Sequence, residues 1–151
     1  MKRIAFALLV GACAAPGALA ALKMHGNMVI SAVTQGCIDN GVVRAGQTYS
    51  FRFRPPNVGG NGPDTSLSIF APYEAMNYRL LTGSLIGNTL QTVNGTGVFS
   101  GGGTFSAKAR ITSQQPAELV DPVTQVLLTG DIEGFAGEPT CTVTFSADAY
   151  N

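Results

Sequence analysis

The chain has 151 residues, nine basic and nine acidic side chains and no net charge, and only 12% of its residues are charged against about 25% in an ordinary globular domain. That length suits one domain with one core, and a balance this near neutrality excludes the long-range field that gathers nucleic acid or an anionic bilayer. Solubility then rests on hydroxyls and turns rather than on charge, the habit of an exported β protein and not of a salt-bridged helical bundle.

In chain order, Lys2 and Arg3 precede an apolar run from Ile4 to Ala15, and Ala18-Leu19-Ala20 places small residues where a signal peptidase reads them. This layout predicts a leader over residues 1–20 and a single β-rich domain over 21–151, in the periplasm or outside the cell. The alternative is a lipoprotein leader, because Val10-Gly11-Ala12-Cys13 sets small residues directly before a cysteine. Lipidation of Cys13 would anchor the domain to the outer membrane, and it is the only membrane association the sequence suggests. Either cut removes Lys2 and Arg3 and no acidic residue, leaving seven basic against nine acidic side chains, a balance of −2. No segment past the leader reaches the eighteen or so consecutive apolar residues of a spanning helix.

Strict alternation of apolar and polar residues then predicts half-buried strands at Tyr49 to Arg54, Thr104 to Thr112, Val126 to Ile132 and Cys141 to Ala149. Weaker patterns predict strands at Met28 to Thr34, Ser66 to Ala71, Tyr78 to Leu81, Leu85 to Val93 and Val98 to Ser100. Gly101-Gly102-Gly103 between Phe99-Ser100 and Thr104-Phe105 reads as a hairpin loop pairing Phe99 with Phe105. Pro116 to Val120 has room for one turn of helix at most. The stretch from Pro55 to Asp64 is the longest connection without a strand, and the place for a cavity mouth if the domain carries a ligand. Short strands separated by Gly, Pro and Asn clusters specify an all-β fold, a single antiparallel sandwich or small barrel of about eight strands.

Past the leader the cysteines are Cys37 and Cys141, an even pair in a compartment where disulfides persist. Bonding them requires their Cα atoms to lie within about 7 Å, so the first and last strands must be neighbours or face each other across the core. Cys37 falls on the opposite parity from Met28, Ile30 and Ala32, which calls for a change of phase such as a bulge at Gly36. As two free thiols they would lack the four donors of a structural metal site, since the lone His25 sits in an N-terminal segment expected to fray.

No catalytic constellation is present: there is no nucleophile elbow, no zinc-protease helix, no phosphate-cradling loop and no calcium loop. Asp131 and Glu133 share a strand face about 7 Å apart by strand geometry, but a saccharide-cleaving pair would want aromatic platforms and the chain has no Trp. Neither an enzyme nor a cofactor is expected. Arg52 with Arg54, and Lys108 with Arg110, put two cations on each of two strand faces; they are the candidate contacts for an anion or a partner protein if those strands are adjacent. Otherwise Asp131 and Glu133 neutralise them or they protect a sheet edge. Asn94-Gly95-Thr96 matches a glycosylation acceptor by chance, in an expected turn.

From Cys141 to Asn151 the alternating pattern and penultimate Tyr150 resemble the closing strand of chaperone-assembled fimbrial subunits, which donate a strand to a neighbour's sheet. Phe145 and Tyr150 lie five apart and so face opposite ways, and those subunits keep their disulfide in the N-terminal half, so the family is not assigned. An outer-membrane barrel is disfavoured because the chain ends in Asn151 rather than an aromatic residue. The expected function is a non-catalytic binding or structural role in the bacterial envelope or outside the cell. The alternatives are a small-ligand-carrying barrel and, less favoured, a strand-exchanging assembly subunit that meets another protein through an edge strand.

Overall fold

The computed structural model describes residues 22–55, 59, 65–70, 76–81, 83–86, 89–99 and 102–151. The expected leader, the alternative lipidation site at Cys13 and most of the Pro55 to Asp64 connection lie outside the described residues. Among the described residues nine strands run β1 (Met24–Val33), β2 (Thr48–Arg54), β3 (Ser66–Phe70), β4 (Met76–Leu81), β5 (Gly83–Ile86), β6 (Thr89–Phe99), β7 (Thr104–Gln115), β8 (Gln125–Glu133) and β9 (Thr142–Tyr150). The helical content among the described residues is α1 (Gln35–Asp39) and one 3-10 turn at Phe135–Gly137.

All pairings are antiparallel within one sheet, ordered β4-β3-β2-β1-β9-β8-β7-β6-β5, and β4 pairs a second time, with β6 through Met76↔Phe99 and Asn77↔Val98. The sheet therefore curls round on itself as a meander in which each strand but β5 lies beside its predecessor, β5 pairing with β6 instead of β4, and the last returns to the first. Of the two expected architectures, the curled barrel-like sheet is the one found, in place of two stacked sheets.

The alternation read in the sequence sets the inside. Tyr49, Phe51 and Phe53 of β2, Ala107, Ala109 and Ile111 of β7, Val126, Leu128 and Ile132 of β8, and Val143, Phe145, Ala147 and Ala149 of β9 are buried. They pack with Met24, Met28 and Ile30 of β1 and Leu67 and Ile69 of β3 into one core, with Phe135 from the 3-10 turn meeting Tyr49 edge-on at 5.8 Å between ring centroids. Among the described residues the outward positions carry mainly Ser, Thr, Asn, Gln and charged side chains, with Val29, Val98, Leu127 and Tyr150 the large apolar or aromatic ones exposed on strands. A membrane-spanning barrel has the reverse pattern, apolar outside and polar within. No described helix is long and apolar enough to cross a membrane.

Cys37 and Cys141 are joined, with Cα atoms 4.4 Å apart and both residues fully buried. As that bond requires, β1 and β9 are neighbours, registered from His25↔Tyr150 to Val33↔Val143. The parity difficulty is resolved differently from the expected bulge at Gly36: the register shift falls earlier, between Ile30 and Ala32, and Cys37 turns inward from α1. Thr34 fastens the junction, its Oγ1 donating to the Thr140 carbonyl and accepting from the Thr142 N–H, both at 2.9 Å.

Five other expectations are corrected. His25 is not in a frayed tail but inside β1, opposite Arg52 on one side and Tyr150 on the other. The expected strand from Leu85 to Val93 is instead the hairpin of β5 and β6, joined at Ile86↔Thr89, and the expected Val98 to Ser100 strand is the end of β6. Asn94 pairs with Lys108 within β6 rather than lying in a turn. Finally, Phe105 pairs with Gly97, not Phe99, because a Cβ at Gly97 would lie 1.9 Å from the Phe105 ring: the glycine makes room for the aromatic side chain across the ladder. The displacement is two residues, an even number, so the faces of both strands are kept.

The β1–β9 pairing also needs Gly26. A Cβ there would stand 1.7 Å from the Asp148 carbonyl oxygen, so these two backbones approach more closely than any side chain would allow.

Candidate functional surface

Strand order decides what the four candidate cations can do. Between β2 and β7 lie β1, β9 and β8 in one direction and β3, β4 and β6 in the other, so Arg52 and Arg54 do not join Lys108 and Arg110 in a stripe. The two pairs end up in different electrostatic settings.

Lys108 and Arg110 face the acids of the adjoining strand in register, Lys108 opposite Glu133 and Arg110 opposite Asp131. Lys108 Nζ is 4.0 Å from Glu133 Oε2, and Arg110 Nη2 donates to Asp131 Oδ2 at 2.8 Å. Thr144 Oγ1 donates to the other Asp131 oxygen at 2.8 Å. The Arg110 guanidinium first, and the Thr144 hydroxyl next, hold the Asp131 carboxyl below the ordinary carboxylate range, and the same contact raises Arg110. An acid catalyst needs the opposite shift, so the Asp131 and Glu133 pair is arranged as an ion-paired surface ladder. Beside it is an open recess of about 370 Å³ lined by Gly95, Ser106, Ala107, Lys108, Glu133 and Gly134.

The Asp131 contact has a measurable consequence. Since the folded carboxyl ionises more readily than an unfolded one, its stabilising contribution is complete above the ordinary value of 3.8 and is lost as pH falls through the lower folded value. The urea midpoints of the wild type and Asp131→Asn are expected to converge on acidification from about pH 5 to about pH 2. A gap that widens over that range would contradict the assignment.

Arg52 and Arg54 sit on the other side of the curl. The Arg52 guanidinium lies 5.4 Å from the centroid of the Phe70 ring, a cation–π contact across the β2–β3 ladder. In register with it, Arg52, His25, Tyr150 and Gln125 form one outward row over β2, β1, β9 and β8. Ser50, Asn27, Asp148 and Leu127 form the row beside it. Tyr150 is half exposed; its hydroxyl donates to Asp148 Oδ2, and Gln125 Nε2 donates to Asp148 Oδ1 at 2.9 Å. The hydrogen bond to Asp148 raises the Tyr150 phenol above its ordinary value.

Two members of this surface escape a reading strand by strand. Tyr150 is legible as a strand end, and Phe70 as one phenylalanine among eight, but their positions beside His25 and under Arg52 depend on which strands adjoin. Among the described residues no three His, Cys, Asp or Glu side chains gather as metal ligands, and both cysteines of the domain are consumed by their bond. No protein family, curated protein or solved structure matches the chain.

Proposed function

We propose that residues 21–151 act as an exported, non-catalytic binding or structural module that works through the outside of its curled sheet, with residues 1–20 as its leader. The observation that carries this reading is the division of the molecule: its centre is filled by Phe53, Phe145, Met24, Met28, Leu128 and other side chains less than 2% exposed, while the ion pairs, the Arg52–Phe70 contact and Tyr150 lie on the outside. A carrier of small apolar cargo needs an enclosed volume of a few hundred cubic ångströms among those side chains. The bridge between Cys37 and Cys141 fits an oxidising compartment, as export supplies.

Titration with an environment-sensitive apolar fluorophore and with a long-chain fatty acid tests the reading against the carrier alternative. The expected result is no saturable binding by the native protein. One-to-one binding of either ligand, weakened by substituting a core residue such as Leu128, would replace it with the carrier.

A further inference from the structure

We infer that the recess beside Lys108 and Glu133 binds a small zwitterion, an α-amino acid with ammonium and carboxylate on one carbon, an inference that rests on the binding-module reading and names its ligand class.

The first support is the floor of the recess. Gly95 of β6 faces Ala107 of β7 in register, and Gly134 follows directly on Glu133, the partner of Lys108. The two glycines carry no side chain and that of Ala107 is buried, so along this row the outside of the sheet presents only backbone. Gly134 is held to glycine by its surroundings: its φ is 69°, and a Cβ there would lie 2.9 Å from the Ser106 carbonyl oxygen. The resulting trough of about 370 Å³ is bounded by Lys108 and Glu133 on one side and by exposed Ser106 on the other. Antiparallel ladders flank β7 on both sides, so this outline exists before a ligand arrives and little ordering is needed on binding.

The second support is the contrast between two ion pairs of one ladder. Arg110 donates to Asp131 at 2.8 Å, and Asp131 also accepts from Thr144, so that pair is consumed by its own contacts. One row away Lys108 Nζ and Glu133 Oε2 stand 4.0 Å apart, beyond hydrogen-bond length, with side chains 50% and 57% exposed. An ammonium has three donors and a carboxylate about four acceptor sites, and a contact this long leaves them for a ligand.

The third support is the sign of the charges. A simple anion drawn to Lys108 meets the Glu133 carboxylate, and a simple cation drawn to Glu133 meets the Lys108 ammonium, so each loses by repulsion what it gains. A ligand carrying both charges escapes this. Its carboxylate accepts from Lys108 and from the Ser106 hydroxyl while its ammonium donates to Glu133, so that four charges alternate round a ring with contacts of about 2.8 Å. Opposite charges on a single carbon suit such a ring; the distant ends of a peptide do not.

The experiment follows the backbone amide resonances of the whole exported protein during titration with L-alanine and with L-leucine at pH 7 and constant ionic strength. N-acetyl-L-alanine, which lacks the ammonium, and L-alaninamide, which lacks the carboxylate, are the comparisons. Saturable shifts at Ser106, Lys108, Glu133 and Gly134 are expected with both amino acids, with Kd on the order of 1 mM, and both derivatives should bind about tenfold or more weakly. Lys108→Gln and Glu133→Gln, two exposed positions where substitution leaves folding nearly unchanged, should each weaken alanine binding about tenfold or more. Glu133→Gln should also close the gap between alanine and its acetylated form, because the repulsion of the anion is gone; a residue that only supports the fold would not produce this. Ser146→Ala, on another part of the sheet, should bind as the wild type does. Equal binding of amino acids and derivatives, unchanged binding by either charge variant, or shifts centred away from the recess overturns the inference. If no amino acid binds, this inference falls while the non-catalytic reading stands; stoichiometric apolar-ligand binding would fell that reading and leave the recess to be judged on its own.

Discussion

Replacing both Cys37 and Cys141 by Ala lowers the unfolding free energy by about 4–5 kcal/mol, a large part of a typical net stability of about 5–15 kcal/mol. The size follows from the loop the bond closes. Its ends are 104 residues apart in sequence, so the bridge removes a great deal of freedom from the unfolded chain while the native ends already adjoin through the β1–β9 ladder. Urea unfolding of the oxidised protein and of the double variant measures the difference. The variant should also show a steeper denaturant dependence, because its unfolded chain can expand further. A loss under about 1 kcal/mol would mean that the ladder by itself holds the two ends, and that the covalent bond adds little to the curled sheet.

Truncating Phe145 to Ala costs about 3–5 kcal/mol, the usual range for emptying a buried aromatic position. Phe145 is 1% exposed at the middle of β9, between Ile30 of β1 and Gly130 of β8. The glycine, where a Cβ would lie 2.3 Å from the Arg110 carbonyl oxygen, leaves the position in register on β8 without a side chain to fill the void. Its outward neighbour Ser146, also in β9, is the comparison: Ser146→Ala should stay within about 0.5 kcal/mol. Thermal or urea denaturation of the two variants separates these expectations. Equal effects would show that β9 is not buried on one face.

The contrast between Phe145 and Ser146 is legible in the sequence, since a period of two needs no knowledge of the partner strand. The same pattern marks β2, β7 and β8, and the outward Arg52, Arg54, Lys108 and Arg110 are placed by it. The hairpin around Gly102 is legible as a turn but not in its register. Which residue faces Phe105 depends on the space over Gly97, a packing fact that glycine spacing does not encode. The break between β5 and β6 carries a signal, Gly87-Asn88 within Leu85 to Val93, which the apolar pattern on either side masks. The role of Thr34 at the bridge was not legible, because it joins segments more than a hundred residues apart.

The sequence by itself determined the class of this protein: an all-β chain, its inward and outward residues, and a cysteine pair that forces the two ends of the domain together. These follow from short-range rules, side-chain alternation and the geometry of a sulfur bridge. Tertiary structure alone decided that the strands make one curled meander, that Lys108 and Arg110 are neutralised by Glu133 and Asp131, and that Arg52 and His25 share a row with Tyr150. Charge compensation acts across ladders between residues distant in sequence, so the sign and strength of any surface patch emerge only when strand order is set.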